Sequence, residues 1–129
     1  MGFFIFMLIM VLLTPAVTII FGASFKKSAP KEINYIFGYR TERSMKTRET
    51  WDFAHSLLGK IWLVGGLLSV PVSALPMLLV MEKSKDAIGT ASIIIIFVQV
   101  AALLLSLIPV ERALKKNFDK DGKRIEKEE

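Results

Sequence analysis

Arg40 and Arg43 stand three residues apart with Ser44 beside the second, and each guanidinium fork can offer two parallel hydrogen bonds to a phosphate or carboxylate. Two kinds of partner suit such a pair: lipid phosphates at a membrane interface, or a specific anionic ligand or protein. Asp52 and His55, the single histidine, lie one helical turn apart and could supply half of a metal site. Two ligands do not close a site, and with no cysteine and no second histidine a hydrogen-bonded structural histidine is expected instead. Asn117, Asp119, Asp121, Gly122 and Glu128 follow the spacing of a calcium-binding loop, but its first position is Asn rather than Asp. A solvated, charge-mixed tail with an Asp-Gly turn is the expectation there. No nucleophile has a convincing base partner, so no catalytic residue, metal or cofactor is expected and the chain reads as a non-enzyme.

The elements that must position these groups are set by charge segregation. Of the 129 residues 53% are apolar, and the mean hydropathy is +0.50. No side chain is charged in 1–25, 61–81 or 87–110. Each run reaches the roughly 20 residues an α-helix needs to cross about 30 Å of hydrocarbon. The predicted fold is therefore an all-α membrane protein: three transmembrane helices with an interfacial cytoplasmic loop between the first and second. Helix 1 is placed at about 3–25, the loop at 26–47, helix 2 at about 48–81 with a cytoplasmic extension, helix 3 at about 87–112, and a charged tail at 113–129. The first run lacks a basic n-region and is long for a signal-peptide core, so it is expected to stay as a helix.

Lysine and arginine set the orientation. Eight lie in 26–60 and seven follow residue 110, whereas only Lys83 and Lys85 occupy the short 82–86 link, where Glu82 and Asp86 balance them. Loop and tail are therefore expected in the cytoplasm, the N-terminus outside, and the net charge of +5 to draw the chain toward anionic lipids. Nucleic-acid binding is not expected, because no nucleic-acid motif is present. No ionisable residue falls inside the three runs, which argues against a pump or proton-coupled carrier.

Helices in lipid associate by close backbone approach and a few hydrogen bonds. Gly65, Ser69 and Ser73 recur every four residues, with Gly66 beside them, and predict a packing face on helix 2. Gln99, mid-way along helix 3, should turn inward to that serine face or to the threonines of helix 1, Thr14 and Thr18. Pro71 and Pro76 mark the place where helix 2 would bend. Thr47 is a plausible N-cap with Glu49 in the first turn, which starts helix 2 at about Arg48. Trp51, His55, Leu58 and Trp62 then share one face, turned toward the loop.

The loop itself carries an ordered string: Pro30, Ile33-Asn34, Gly38-Tyr39-Arg40-Thr41, Arg43-Ser44-Met45-Lys46, then Glu49-Thr50-Trp51 and Ala54. It resembles the signature of the SdpI/YfhL family of small bacterial membrane proteins. That resemblance implies a multi-pass plasma-membrane protein conferring immunity against a secreted toxin peptide, with membrane-based signalling in some members. It also implies binding roles for Asn34, Gly38, Tyr39, Arg40, Thr41, Arg43, Ser44 and Trp51, with His55 beside them. The partner is then a toxin peptide or, alternatively, a cytoplasmic regulator recruited through the basic loop and tail; the sequence leaves the oligomeric state open.

Overall fold

In the computed structural model, which describes residues 1–31 and 38–125, three helices follow one another: α1 (Gly2–Lys27), α2 (Arg48–Leu79) and α3 (Lys85–Asn117). All three are long and apolar enough to cross a membrane, and no strand occurs among the described residues. At 26, 32 and 33 residues they exceed a bare span. At about 1.5 Å per residue the surplus carries α2 and α3 beyond the hydrocarbon at the end that holds the loop.

Each terminus is set locally. Lys26 and Lys27 occupy the last turn of α1, where cations complement the helix dipole. Thr47 caps α2: its Oγ1 accepts from the Thr50 N–H at 3.1 Å, while Thr50 Oγ1 accepts from the Thr47 N–H at 3.0 Å. This reciprocal box satisfies donors that a helix start otherwise leaves orphaned. Ser84 caps α3, with Asp86 in its first turn. α2 runs on through Pro71 and Pro76, and α3 through Pro109.

The most extensive pairing is that of α1 with α2. The expected stripe does not produce it. Gly65 faces open space, and a Cβ there would meet nothing within 4 Å. The close approaches are at Gly66, set beside that stripe by the sequence, and at Gly22 and Gly59. A Cβ on Gly22 would stand 2.5 Å from the Leu63 nitrogen, one on Gly59 would collide with the Lys26 backbone, and one on Gly66 would lie 2.7 Å from Ile19 Cγ1. Backbone meets backbone where side chains are absent, the arrangement that holds helices together without a hydrophobic driving force.

Gln99 does turn inward. Its Nε2 donates at 2.9 Å to Ser73 Oγ of α2 and at 2.9 Å to the Val11 carbonyl of α1, not to a threonine. One amide thus ties the three helices at mid-depth, between two apolar clusters. One cluster, at the loop end, includes Phe25, Tyr39, Leu58, Val110 and Leu114; the other gathers Phe4, Val11, Met77 and Ile88. Large apolar side chains such as Leu68, Leu79, Phe97 and Leu104 are more than half exposed. Hydrocarbon is the solvent such an outer surface suits, and the chain is a multi-pass membrane protein.

The end of the chain departs from the expected tail. α3 continues to Asn117, past the expected 112, and residues 118–125 fold back onto the start of α2. Asp119 Oδ1 accepts from the Asp121 and Lys123 N–H groups, so its carboxylate closes a turn; Glu128 of the calcium-loop spacing lies outside the described residues. Gly122 takes φ +81°, and its carbonyl accepts from Thr47 Oγ1 at 3.0 Å. Arg124 bonds Glu49 at 2.8 Å and stacks over the Phe118 ring at 5.1 Å. The rings and the carboxylate together hold a segment that composition alone reads as solvated.

The glycine contacts make a directional prediction. Gly59→Leu should force α1 and α2 apart and cost about 1 to 3 kcal/mol or more of overpacking strain, whereas Gly65→Leu should change stability by less than about 0.5 kcal/mol. Thermal unfolding of the two variants in detergent, side by side with the parent, checks the contrast.

Candidate functional site

The site begins with one imidazole. His55 is fully buried on the inner face of α2, boxed by Trp51 at a ring distance of 4.2 Å and by the edge of Phe25 at 4.8 Å. Its Nδ1 lies 2.8 Å from the Trp51 carbonyl, an acceptor, so that nitrogen carries the proton. Its Nε2 then has a free lone pair, and this accepts the backbone N–H of Tyr39 at 2.8 Å. Both nitrogens are engaged, and Asp52 pairs with Arg48 at 3.2 Å instead of reaching the ring. The Asp52–His55 pair therefore serves the loop and forms no half-site for a metal.

Gly38 makes the approach sterically feasible. It sits at φ +105°, and a Cβ there would stand 2.7 Å from His55 Nε2 and 3.1 Å from the Trp51 ring. Only glycine takes this backbone conformation without strain. Trp51 holds the other strand of the loop, donating from its indole to the Pro30 carbonyl at 3.0 Å. Arg48 reaches the Pro30 carbonyl as well, at 3.2 Å, and also the Lys31 carbonyl.

From that anchor Tyr39 points across to α3. Its hydroxyl donates to Glu111 Oε1 at 2.5 Å, and the Arg43 guanidinium stands 3.9 Å from the other carboxylate oxygen. Burial first, and then the Glu111 carboxylate, hold the Tyr39 phenol well above its ordinary range, so it remains a donor. Ser44 organises the turn that follows. Fully buried, its Oγ accepts from the Thr41 N–H at 2.9 Å and donates toward the Tyr39 carbonyl at 2.9 Å, while Thr41 Oγ1 accepts from the Ser44 N–H at 3.1 Å. Thr50 of α2 closes the turn by donating to the Ser44 carbonyl at 3.0 Å.

Of the sequence-predicted residues, Gly38, Tyr39, Thr41, Arg43, Ser44, Trp51 and His55 are brought into this one assembly. Arg40 stands exposed at its edge, and Asn34 lies outside the described residues. Gly65, Ser69, Ser73 and Gln99 lie deeper along the helices, apart from it. Sequence reasoning missed Glu111, the hub of the contact with α3, and the Pro30 carbonyl. A signal for Glu111 existed: it is the first charge after the last uncharged run, on the same membrane side as the loop cations. The arrangement binds itself: the imidazole, the phenol, the indole and the Ser44 and Thr50 hydroxyls are each bonded to a neighbour, so the assembly acts as a mount for the loop at one end of the bundle.

A family model described as "SdpI/YfhL protein family" matches residues 31–110, which take in the loop, α2 and most of α3. A curated relative from Bacillus subtilis (strain 168), the uncharacterized protein YfhL, is 38% identical over 50 residues, covering 39% of this chain and 46% of that protein. The chain thus spans about half the length of the curated relative it matches. No solved structure matches.

Breaking the mount should register as lost stability. Tyr39→Phe removes a hydrogen bond to a carboxylate and should cost about 1.5 to 3 kcal/mol; in a double-mutant cycle with Glu111→Gln the two losses should be markedly non-additive. Gly38→Ala should destabilise by more than about 1 kcal/mol through φ strain and the collision with His55. Thermal unfolding in detergent reads both.

Proposed function

The chain belongs to the SdpI/YfhL family, and on that premise we propose that it is a non-enzymatic immunity protein of the bacterial plasma membrane, protecting its cell against a secreted antimicrobial peptide. The observation that carries this reading is the mount itself. The residues that carry the resemblance to the family converge on His55 and Glu111, with Arg40 exposed at the edge of the loop. The chemistry of the site supports a binding role over catalysis, since its histidine has both nitrogens committed and its carboxylate is held by a phenol and a guanidinium.

Orientation follows from charge. With loop and tail joined at one end of the bundle through Thr47–Gly122 and Glu49–Arg124, fifteen of the seventeen lysines and arginines fall on that side. The positive-inside preference places it in the cytoplasm and the 82–86 link outside. A second reading is favoured by the same joined surface: a signalling adaptor that recruits a cytoplasmic regulator to the loop and tail.

Expression in a toxin-sensitive strain separates these. Immunity predicts survival at peptide doses that kill the vector control, with Arg40→Ala reducing it; killing equal to the control at confirmed membrane levels would sink the reading. The adaptor predicts a soluble partner captured by the parent chain and lost in the Arg40→Ala/Arg43→Ala variant, with survival unaffected. The native chain has no cysteine, so single replacements report topology cleanly. Lys83→Cys should be labelled by an impermeant maleimide on intact cells, and Arg40→Cys only after permeabilisation.

A further inference from the structure

Beside the mount, a slot of about 550 Å³ opens between α1 and α3, within the roughly 300–1,000 Å³ of small-molecule sites. Val17 and Phe21 form one wall, Leu104 and Leu107 the other, and Leu58 and Trp62 of α2 the floor. It continues along α1 as far as Phe25, about 12 Å at the rise of an α-helix, and so runs parallel to the helix axes. Val17 is 47% and Leu104 63% exposed, so the slot is open sideways, to the lipid. At its loop end the lining turns polar, with Tyr39, Arg40 and Thr41. Arg40 and Thr41 also line an adjoining polar recess with Glu42, Met45 and Lys46. Lys46 pairs with Glu42 at 3.7 Å, but the glutamate side chain is 89% exposed, and an exposed pair of that kind holds its cation weakly. Arg43, the third cation of the turn, leans on Glu111.

An apolar channel aligned with the chains of the bilayer, ending at two cations at headgroup level, has the shape and charge of one amphiphile. We infer that the slot and the recess form a single site for an anionic phospholipid of the surrounding leaflet, with an acyl chain between α1 and α3 and its phosphate against Arg40 and Lys46. Diffuse attraction of basic residues to an anionic surface would need no slot, and lipid merely filling a gap between helices would need no cation at its mouth. The site combines both, so headgroup charge and chain occupancy should be coupled. The inference does not rest on the immunity reading and stands or falls separately from it.

The test uses the full chain, delipidated in mild detergent and titrated with phosphatidylglycerol or phosphatidylcholine of identical acyl chains, with binding read by native mass spectrometry. One phosphatidylglycerol per chain should bind at least about tenfold more tightly than phosphatidylcholine, a difference of about 1.4 kcal/mol. Arg40→Ala should abolish the preference between headgroups. Leu104→Trp, which fills the slot, should weaken both lipids, while Leu67→Trp on the exposed flank of α2 should leave both unchanged. Circular dichroism confirms the fold of each variant, and Val17→Phe, narrowing the slot from the opposite wall, replaces Leu104→Trp should that chain not fold. Equal affinity for the two headgroups, a preference retained in Arg40→Ala, or unchanged binding with the slot filled would each overturn the inference. So would a photoreactive group at position 104 that cross-links to a peptide in cells and not to lipid.

Discussion

A backbone N–H at the edge of hydrocarbon must find an acceptor, and for Tyr39 that acceptor is the lone pair of a neutral histidine. The bond exists only because His55 gives its Nδ1 proton to the carbonyl one turn behind it, which leaves Nε2 unprotonated and aimed at the loop. Everything at the loop end of the bundle follows from that geometry. Gly38 must be glycine to let the loop come so near, and Tyr39, once pinned by its nitrogen, has its hydroxyl in reach of α3. A doubly protonated ring would set two donors face to face and release the loop from α2. The single histidine thus positions the signature segment and has no spare atom for chemistry.

The bundle below the mount is held by different means. Where α1 and α2 touch, Gly22, Gly59 and Gly66 let backbones meet, and the apolar side chains around them face lipid without penalty. Gln99 supplies the polar tie at mid-depth, bonding α1 and α2 from α3 with a single amide. The aromatic and charged groups cluster at the loop end of the bundle, so the polar side-chain network is concentrated there. The returning segment 118–125 thickens that end. Thr47 both caps α2 and bonds Gly122, so the start of the second helix and the segment that follows the third share one hydroxyl.

Much of this was legible without coordinates because membrane insertion makes the sequence speak in long, coarse signals. Uncharged runs mark helices, and the imbalance of lysine and arginine groups loop with tail, since hydrocarbon tolerates neither a stray charge nor an unpaired backbone group. The N-cap at Thr47 and the common face of Trp51, His55 and Leu58 were readable too, being matters of spacing within one helix. Packing between helices was another matter. The stripe of Gly65, Ser69 and Ser73 has the right period, yet Gly65 and Ser69 line open space beside α3, while Ser73 bonds Gln99 directly. Period identifies a face of a helix; it does not say which face meets a neighbour when leucine and lipid are equally apolar on every side.

The sequence by itself determined three spans, their limits within a few residues, and the side on which cations gather, because those depend only on the transfer of local segments into hydrocarbon. Only the tertiary structure decided that Glu111 meets Tyr39, that Gly22 and Gly59 share a contact, and that the tail returns to Thr47. Each of those joins residues far apart in the chain through a distance of a few ångströms, and no local property of either partner encodes that distance.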